Sequence, residues 1–498
     1  MRECHCELTQ VGNLARDAVL AAIKAEQFET AVEWLEQGRS VVWGQLLQLR
    51  TPIDELQQVQ PQLADQFAQL STRLQQTSTP SHPSEAGNKH SLEEVAQEHH
   101  QLTAQWEAIL GEICGIQGFD RFLLPKPFSQ LKGAAYLGPV VTLNVSSAQC
   151  DALILMPGLD DVLHIPLPTL TQTTAEELRG TFNNLLSEAG HLPPLERKFR
   201  PGKKPPAPDG NFELEKILAQ LWSNVVKPVL DVLTLMSLPS DPSCIWWCAT
   251  GPLAFLPIHA AGVYNTSDPG NCISDFVVLS YIPTLSMLID NRQPEVTTSH
   301  DFQLLAIAQP NAPHHNPLPG TQEELNQIKN HAKGIHFVSL IDGEATVENV
   351  LHHMHNSNWV HFACHGVQDV SHPTDSCLIL ANGSPLKLST IIDLSLSHAE
   401  LAFLSACQTA TGSKDLSEEA VHLAAGMLLA GYRGVIATMW TIGDRDAPHI
   451  ADDVYSRILM GGKPDYTQAA LALHQAVQQL RLKGASFLSW VPYIHIGF

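Results

Sequence analysis

Positive charge is scarce in this chain. Its 29 lysines and arginines stand against 51 aspartates and glutamates, a net charge of −22 over 498 residues. A surface of that sign repels phosphate backbones and anionic lipid, so nucleic-acid and membrane-surface binding are not expected. Long apolar runs are missing too. The longest candidate, CIWWCATGPLAFLPIHAAGVY, is broken by Gly251, Pro252 and Pro257 and reads as a buried strand, a turn and a second buried segment. The opening MRECHCELTQ has no basic flank leading into an apolar run, so no secretory leader is expected. The ten cysteines follow no repeating spacing: Cys4 and Cys6 form a CxC, Cys244 and Cys248 a CxxxC, and neither has a second pair. Reduced thiols in a cytoplasmic protein are expected, not a disulfide framework. Neither HExxH nor GxGxxG occurs, which removes the usual signals for zinc hydrolysis and dinucleotide binding.

A chain of this length exceeds one core, so two or three domains are expected. Residues 1–125 read as helical. From Leu14 apolar and small residues recur at three- and four-residue spacing, with a break at Glu26–Gln27 that fits two antiparallel helices. Phe28 in the turn and Ala31 in the second helix give this pair the look of a terminal tetratricopeptide unit. A polar, proline-rich linker spans 77–91, and Ser91 with Glu94 forms a candidate capping box for the next helix. From Gly138 the period changes to short apolar runs, PVVTLNVS, CDALILM and DVLHIPL, then two helices near 174–190 and 212–235 flanking a loop rich in Arg197, Lys198, Arg200, Lys203 and Lys204. That loop reads as solvated surface. Residues 126–300 are taken as one α/β subdomain and 301–498 as another.

The last two hundred residues alternate strand and helix, with a second candidate capping box at Thr321 and Glu324. Such alternation implies a mostly parallel sheet covered by helices on both faces, whose working residues lie just past the carboxyl ends of strands. Two strands there end in reactive groups. NWVHFAC runs into His365–Gly366, and AELAFLS runs into Ala406–Cys407. A thiol beside an imidazole is the minimum for nucleophilic attack on an amide, because the ring takes the thiol proton and returns it to the leaving amine. An isolated cysteine in an apolar strand is equally at home as core packing, which is the reading given to Cys364. His361 and His365 lie four apart on a strand, about 13 Å, too far to share one metal ion.

VHFACHG, LAFLSACQTATG and EAVHLAAGMLLAGYRGVIATMWTIGDRDAP, with WWCATGPLAFLPIHAAG, LSYIPTLSML and PLPGTQEELNQI upstream, resemble the CHAT peptidases, relatives of caspases and separases. The resemblance spans Gly138 to the C-terminus, and the helical start resembles the repeat region of fungal members. It implies a caspase-like α/β fold, a pseudo-caspase subdomain ahead of a catalytic one, and a Cys/His dyad with neither metal nor organic cofactor. Carried over by position, Cys407 is the nucleophile and His365 the base. The backbone N–H groups of Gly366 and Cys407 form the oxyanion hole. Trp440 and Asp444 fall in a segment, MWTIGDRD, that resembles the one lining the substrate pocket in caspase-like enzymes and separases, which implies Asp444 as a candidate to hold a basic side chain; it is equally a candidate helix cap, in competition with Asp446.

The implied activity is regulated cleavage of a protein client, in defence or programmed cell death, with an activating protein partner on the helical N-terminus. The polar loops after His365 and Cys407 are expected to complete the cleft only when ordered. A catalytically silent scaffold with the same fold is the competing reading.

Overall fold

The computed structural model describes residues 14–39, 56–57, 59–78, 92–191, 210–233, 242–265, 269–290, 302–369, 373–406 and 423–498. The chain divides into two compact units, one of residues 1–39 with 128–498 and the other of residues 40–127. The first helix pair groups with the sheet in the larger unit.

In the smaller unit, helices Pro61–Ser78 and Leu92–Cys114 pack through Phe67, whose ring meets Trp106 at 5.7 Å and Phe122 at 5.5 Å. The Trp106 indole N–H donates to Ser71 Oγ over 3.2 Å. The capping box at Ser91 lies outside the described residues, as does the basic loop containing Arg197 to Lys204.

Fourteen strands are described in the larger unit. They are β1 Val140–Val145, β2 Cys150–Leu155, β3 Leu163–Pro166, β4 Cys244–Cys248, β5 Val278–Tyr281, β6 Gln303–Ala308 and β7 His336–Ile341. The rest are β8 Trp359–Ala363, β9 His365–Val367, β10 Cys377–Ile379, β11 Pro385–Lys387, β12 Leu401–Ser405, β13 Gly434–Thr438 and β14 Tyr493–Gly497. Eleven of these make one sheet in the order β3-β2-β1-β4-β5-β14-β13-β12-β8-β6-β7, and β11-β10-β9 make a small second sheet. Strands β1, β4, β5 and β14 run parallel to one another, and so do β13, β12, β8, β6 and β7; the two blocks meet antiparallel at β13 and β14. The expected α/β architecture, a mostly parallel sheet with helices and a helical segment in front, is present. Every residue of β8, β12 and β13 is buried. Successive side chains of a strand point to opposite faces, so both faces of this block are covered. That is why these strands read as continuous apolar runs.

The N-terminal helix pair, 14–24 and Phe28–Arg39, turns at Glu26, which has a left-handed φ of 57°. Gly38 lets the two helices close up, since a Cβ there would stand 2.3 Å from that of Ala15. Buried charges fasten the pair to the sheet. The Glu36 carboxylate accepts from the N–H groups of Leu285 (2.8 Å) and Ser286 (2.9 Å), which open the helix Leu285–Asp290. Arg39 donates to the carbonyls of Cys248 (2.9 Å) and Ala249 (2.8 Å) at the end of β4. Glu36→Ala strands one buried and one half-buried N–H group and is expected to cost about 2 kcal/mol. The check is a lower urea midpoint with an unchanged slope.

Two local expectations are corrected. Thr321 and Glu324 form no capping box: Thr321 Oγ1 donates to Leu318 O, and Glu324 turns inward. The strand ending at His365 is interrupted at Cys364, so that His365 opens the separate strand β9. No helix among the described residues is long and apolar enough to cross a membrane.

Candidate active site

The parallel pairing of β8 and β12 aligns Trp359 with Leu401 and continues to Ala363 beside Ser405. His365 and Cys407 are each two residues further along from that last aligned pair. The described chain stops at Ala406, and Cys407 lies outside it. The Ala406 carbonyl accepts from the Thr438 hydroxyl over 2.6 Å, which ties the end of β12 to the end of β13. Cys364 is buried, as expected for core packing.

His365 is half-buried. Its strand pairs antiparallel with β10, His365 opposite Ile379 and Gly366 opposite Leu378. Its Nε2 lies 2.8 Å from the carbonyl oxygen of Asn316. A carbonyl only accepts, so Nε2 carries the proton and Nδ1 of the neutral ring keeps the lone pair. That tautomer leaves Nδ1 as the basic nitrogen. The exposed His315 ring stacks on His365, with centroids 4.8 Å apart and planes at 27°. Burial, and after it the charges of His365 and His314, hold His315 below the ordinary imidazole pKa.

Asn316 and His315 belong to the loop 309–320, and Asp444 holds the end of that loop. Asp444 Oδ2 accepts from Gly320 N–H over 2.9 Å, at the start of the helix Gly320–His331. A carboxylate at a helix N-terminus meets unpaired N–H groups and the positive end of the dipole. Asp444 therefore caps a helix 124 residues earlier in sequence, not the helix Ala447–Ile458 that follows it. Asp446 is the N-cap residue of that helix, without a side-chain bond. Residue 320 must be glycine here, because a Cβ would fall 2.1 Å from the Asp444 carbonyl oxygen. Trp440 is fully buried: its indole N–H donates to Leu488 O over 3.0 Å, and its ring meets Phe182 edge-on at 5.5 Å.

Beneath the strand ends lies a polar cluster that sequence reasoning missed. His361 Nε2 is 3.1 Å from Glu324 Oε2, its Nδ1 is 3.3 Å from the Tyr455 hydroxyl, and all three side chains are buried. The signal was an inward-facing His in a buried strand, which needs a polar partner. Among the described residues no group of side chains is arranged to hold a metal ion.

Comparison with known proteins adds the following. The family model described as CHAT domain matches residues 215–498. No curated protein matches the sequence. Among solved structures, the Saccharomyces cerevisiae separase–securin complex at 2.6 Å is similar at 11% identity and a TM-score of 0.47, covering 96% of this chain and 38% of that one. The Arg-specific cysteine proteinase gingipain R is similar at 11% identity and a TM-score of 0.37, covering 57% of this chain and 67% of that one. The complex of the pro- and mature domains of Porphyromonas gingivalis RgpB gives 12% identity and 0.37, with 57% and 68% covered.

Proposed function

As this chain belongs to the CHAT-domain family, we propose that it is a cysteine endopeptidase that cuts a protein client with Cys407 and His365. The supporting observation is the register of β8 against β12, whose last aligned pair, Ala363 and Ser405, stands two residues ahead of His365 and Cys407 alike. In this reading His365 Nδ1 takes the Cys407 proton while the Asn316 carbonyl holds Nε2–H. The thiolate attacks the scissile carbonyl, and the N–H groups of Gly366 and Cys407 receive the oxyanion. The imidazolium then protonates the leaving amine, and water releases the acyl group from the sulfur by the same exchange in reverse. Neither a metal nor an organic cofactor enters any step.

Asp444 is the residue we assign to a basic side chain of the client. Only Oδ2 is engaged by Gly320 N–H, which leaves Oδ1 for a guanidinium or ammonium. The client's context is regulated proteolysis, in defence or programmed cell death, with the N-terminal helix pair as the place for an activating partner. Free thiols at Cys114, Cys150, Cys244, Cys248, Cys272, Cys364 and Cys377 suit a reducing cytoplasm.

Digestion of a proteome-derived peptide library by the whole chain tests this. The wild type is expected to produce a recurrent cleavage site, and Cys407→Ala to produce none above background. Equal product sets from the two chains would make the scaffold reading the correct one.

A further inference from the structure

The loop 309–320 is held at more points than a connecting loop requires. At its start Asn311 N–H donates to Asp342 Oδ1 over 3.2 Å, and Gln309 Nε2 donates to the Asp342 carbonyl over 2.9 Å. At its end Gly320 is held by Asp444. In between, Ala312 is buried in a small cluster with Cys377 and Ile379 of β10, and Ile379 is the residue that faces His365 across the β9–β10 pair. His315 N–H bonds back to Ala312 O over 3.2 Å, and Leu318 N–H to Pro310 O over 2.9 Å.

Between these anchors His314 adopts a left-handed φ of 64°. A non-glycine residue rarely does so, and the surrounding contacts must outweigh the strain. The outcome is a turn that sets the His315 ring against His365 and the Asn316 carbonyl on its Nε2. A loop that needed only to supply the carbonyl had no use for a second ring stacked on the first.

We propose that His315 is a positioning residue for His365, whose stacked ring fixes the imidazole plane so that Nε2–H stays on Asn316 O and Nδ1 remains the basic nitrogen. This rests on the reading of His365 as the base. A flat ring over the imidazole also favours the imidazolium once His365 has taken the thiol proton, because a cation over a π face is attracted to it. The attraction requires the upper ring to be neutral. His314 and His365 are the titratable groups that act on His315, and both oppose its protonation.

Two His315 variants and one spectroscopic arm test this in the full-length protein. His315→Ala removes the ring from an exposed position, so folding is not at stake. It is expected to lower kcat roughly threefold to tenfold with KM unchanged, the size of an aromatic pair's contribution. His315→Phe keeps a neutral ring and is expected to restore kcat to within about twofold of wild type. Wild-type kcat in His315→Ala, or equal losses in both variants, would overturn the proposal. In the NMR arm, His365→Ala is expected to raise the titration midpoint of His315, since the partner ring's charge, which opposes its protonation, is removed. An unmoved midpoint shows that the rings are not coupled and sinks the proposal without reference to catalysis. A wild type that neither cleaves peptides nor reacts with a thiol-directed electrophile at Cys407 is a different failure, that of the peptidase reading itself.

Discussion

His365→Ala is expected to lower client cleavage by about three orders of magnitude and to leave the fold intact. Removing a general acid–base group usually costs between a hundredfold and ten-thousandfold, and in the proposed mechanism one ring performs two transfers, out of the thiol and into the leaving amine. The thiol also loses its activation, because a free cysteine near pKa 8.5 is mostly protonated at neutral pH. Stability should hardly change. His365 is half-buried and opens a three-residue strand, β9, at the rim of the small sheet, beyond the fully buried run of β8. Steady-state rates on the preferred peptide, with thermal melting as the control for folding, check both halves. A drop of less than tenfold would show that the residue is not the base.

The second large effect is on stability in mild acid. His259, His474 and His495 line one pocket of about 50 Å³ with Arg481, between the helix Ala469–Leu482 and strands β5 and β14. All three are held neutral. His259 donates from Nε2 to Val491 O and accepts from the Tyr281 hydroxyl at Nδ1, each over 2.8 Å. The Ser280 hydroxyl donates to Gly497 O, so the 2.8 Å contact from His495 Nδ1 to Ser280 Oγ is a donation by the ring. His474 Nε2 accepts from Gln478 Nε2 over 2.9 Å.

Burial pushes each ring down to about 4, with Asp275 opposing the shift at His474 and the Val491 carbonyl opposing it at His259. An unfolded chain takes up these protons near pH 6.5 and the folded one only near pH 4. Stability is therefore fully present above pH 6.5 and is lost as pH falls through that window. Each ring contributes on the order of 3 kcal/mol, and three together rival the whole stability of an ordinary domain. The urea midpoint should fall steeply between pH 6.5 and 4.5, before most carboxylates titrate. His495→Gln is expected to flatten the fall. A midpoint that stays level across that window would contradict the assignment of these rings as buried and neutral.

What the sequence disclosed about this fold followed from how far each signal reaches. The central strands were legible because a strand buried on both faces must be a continuous apolar run, as in LAFLS and GVIAT. Strands β10 and β11 were not, since three residues give no period to count, and β14 was hidden by a His and a Gly in five residues. The Thr321–Glu324 spacing satisfied a local capping rule. A local rule has no way to register that Glu324 faces a buried His361 across the core, or that Asp444 arrives from the far end of the chain to cap the helix instead. The candidate pair Cys407 and His365 stood out in the sequence because those residue types carry their chemistry with them. The Asn316 carbonyl was not, because every residue has one and only the path of the loop decides where it points.

The pH dependence of alkylation at Cys407, followed by intact mass, tests most directly the proposal that Cys407 and His365 meet. In the wild type, alkylation is expected to persist well below pH 8.5 because the imidazole holds the thiolate as an ion pair, and in His365→Ala to follow an ordinary thiol. Identical profiles for the two chains would mean that sulfur and ring never meet.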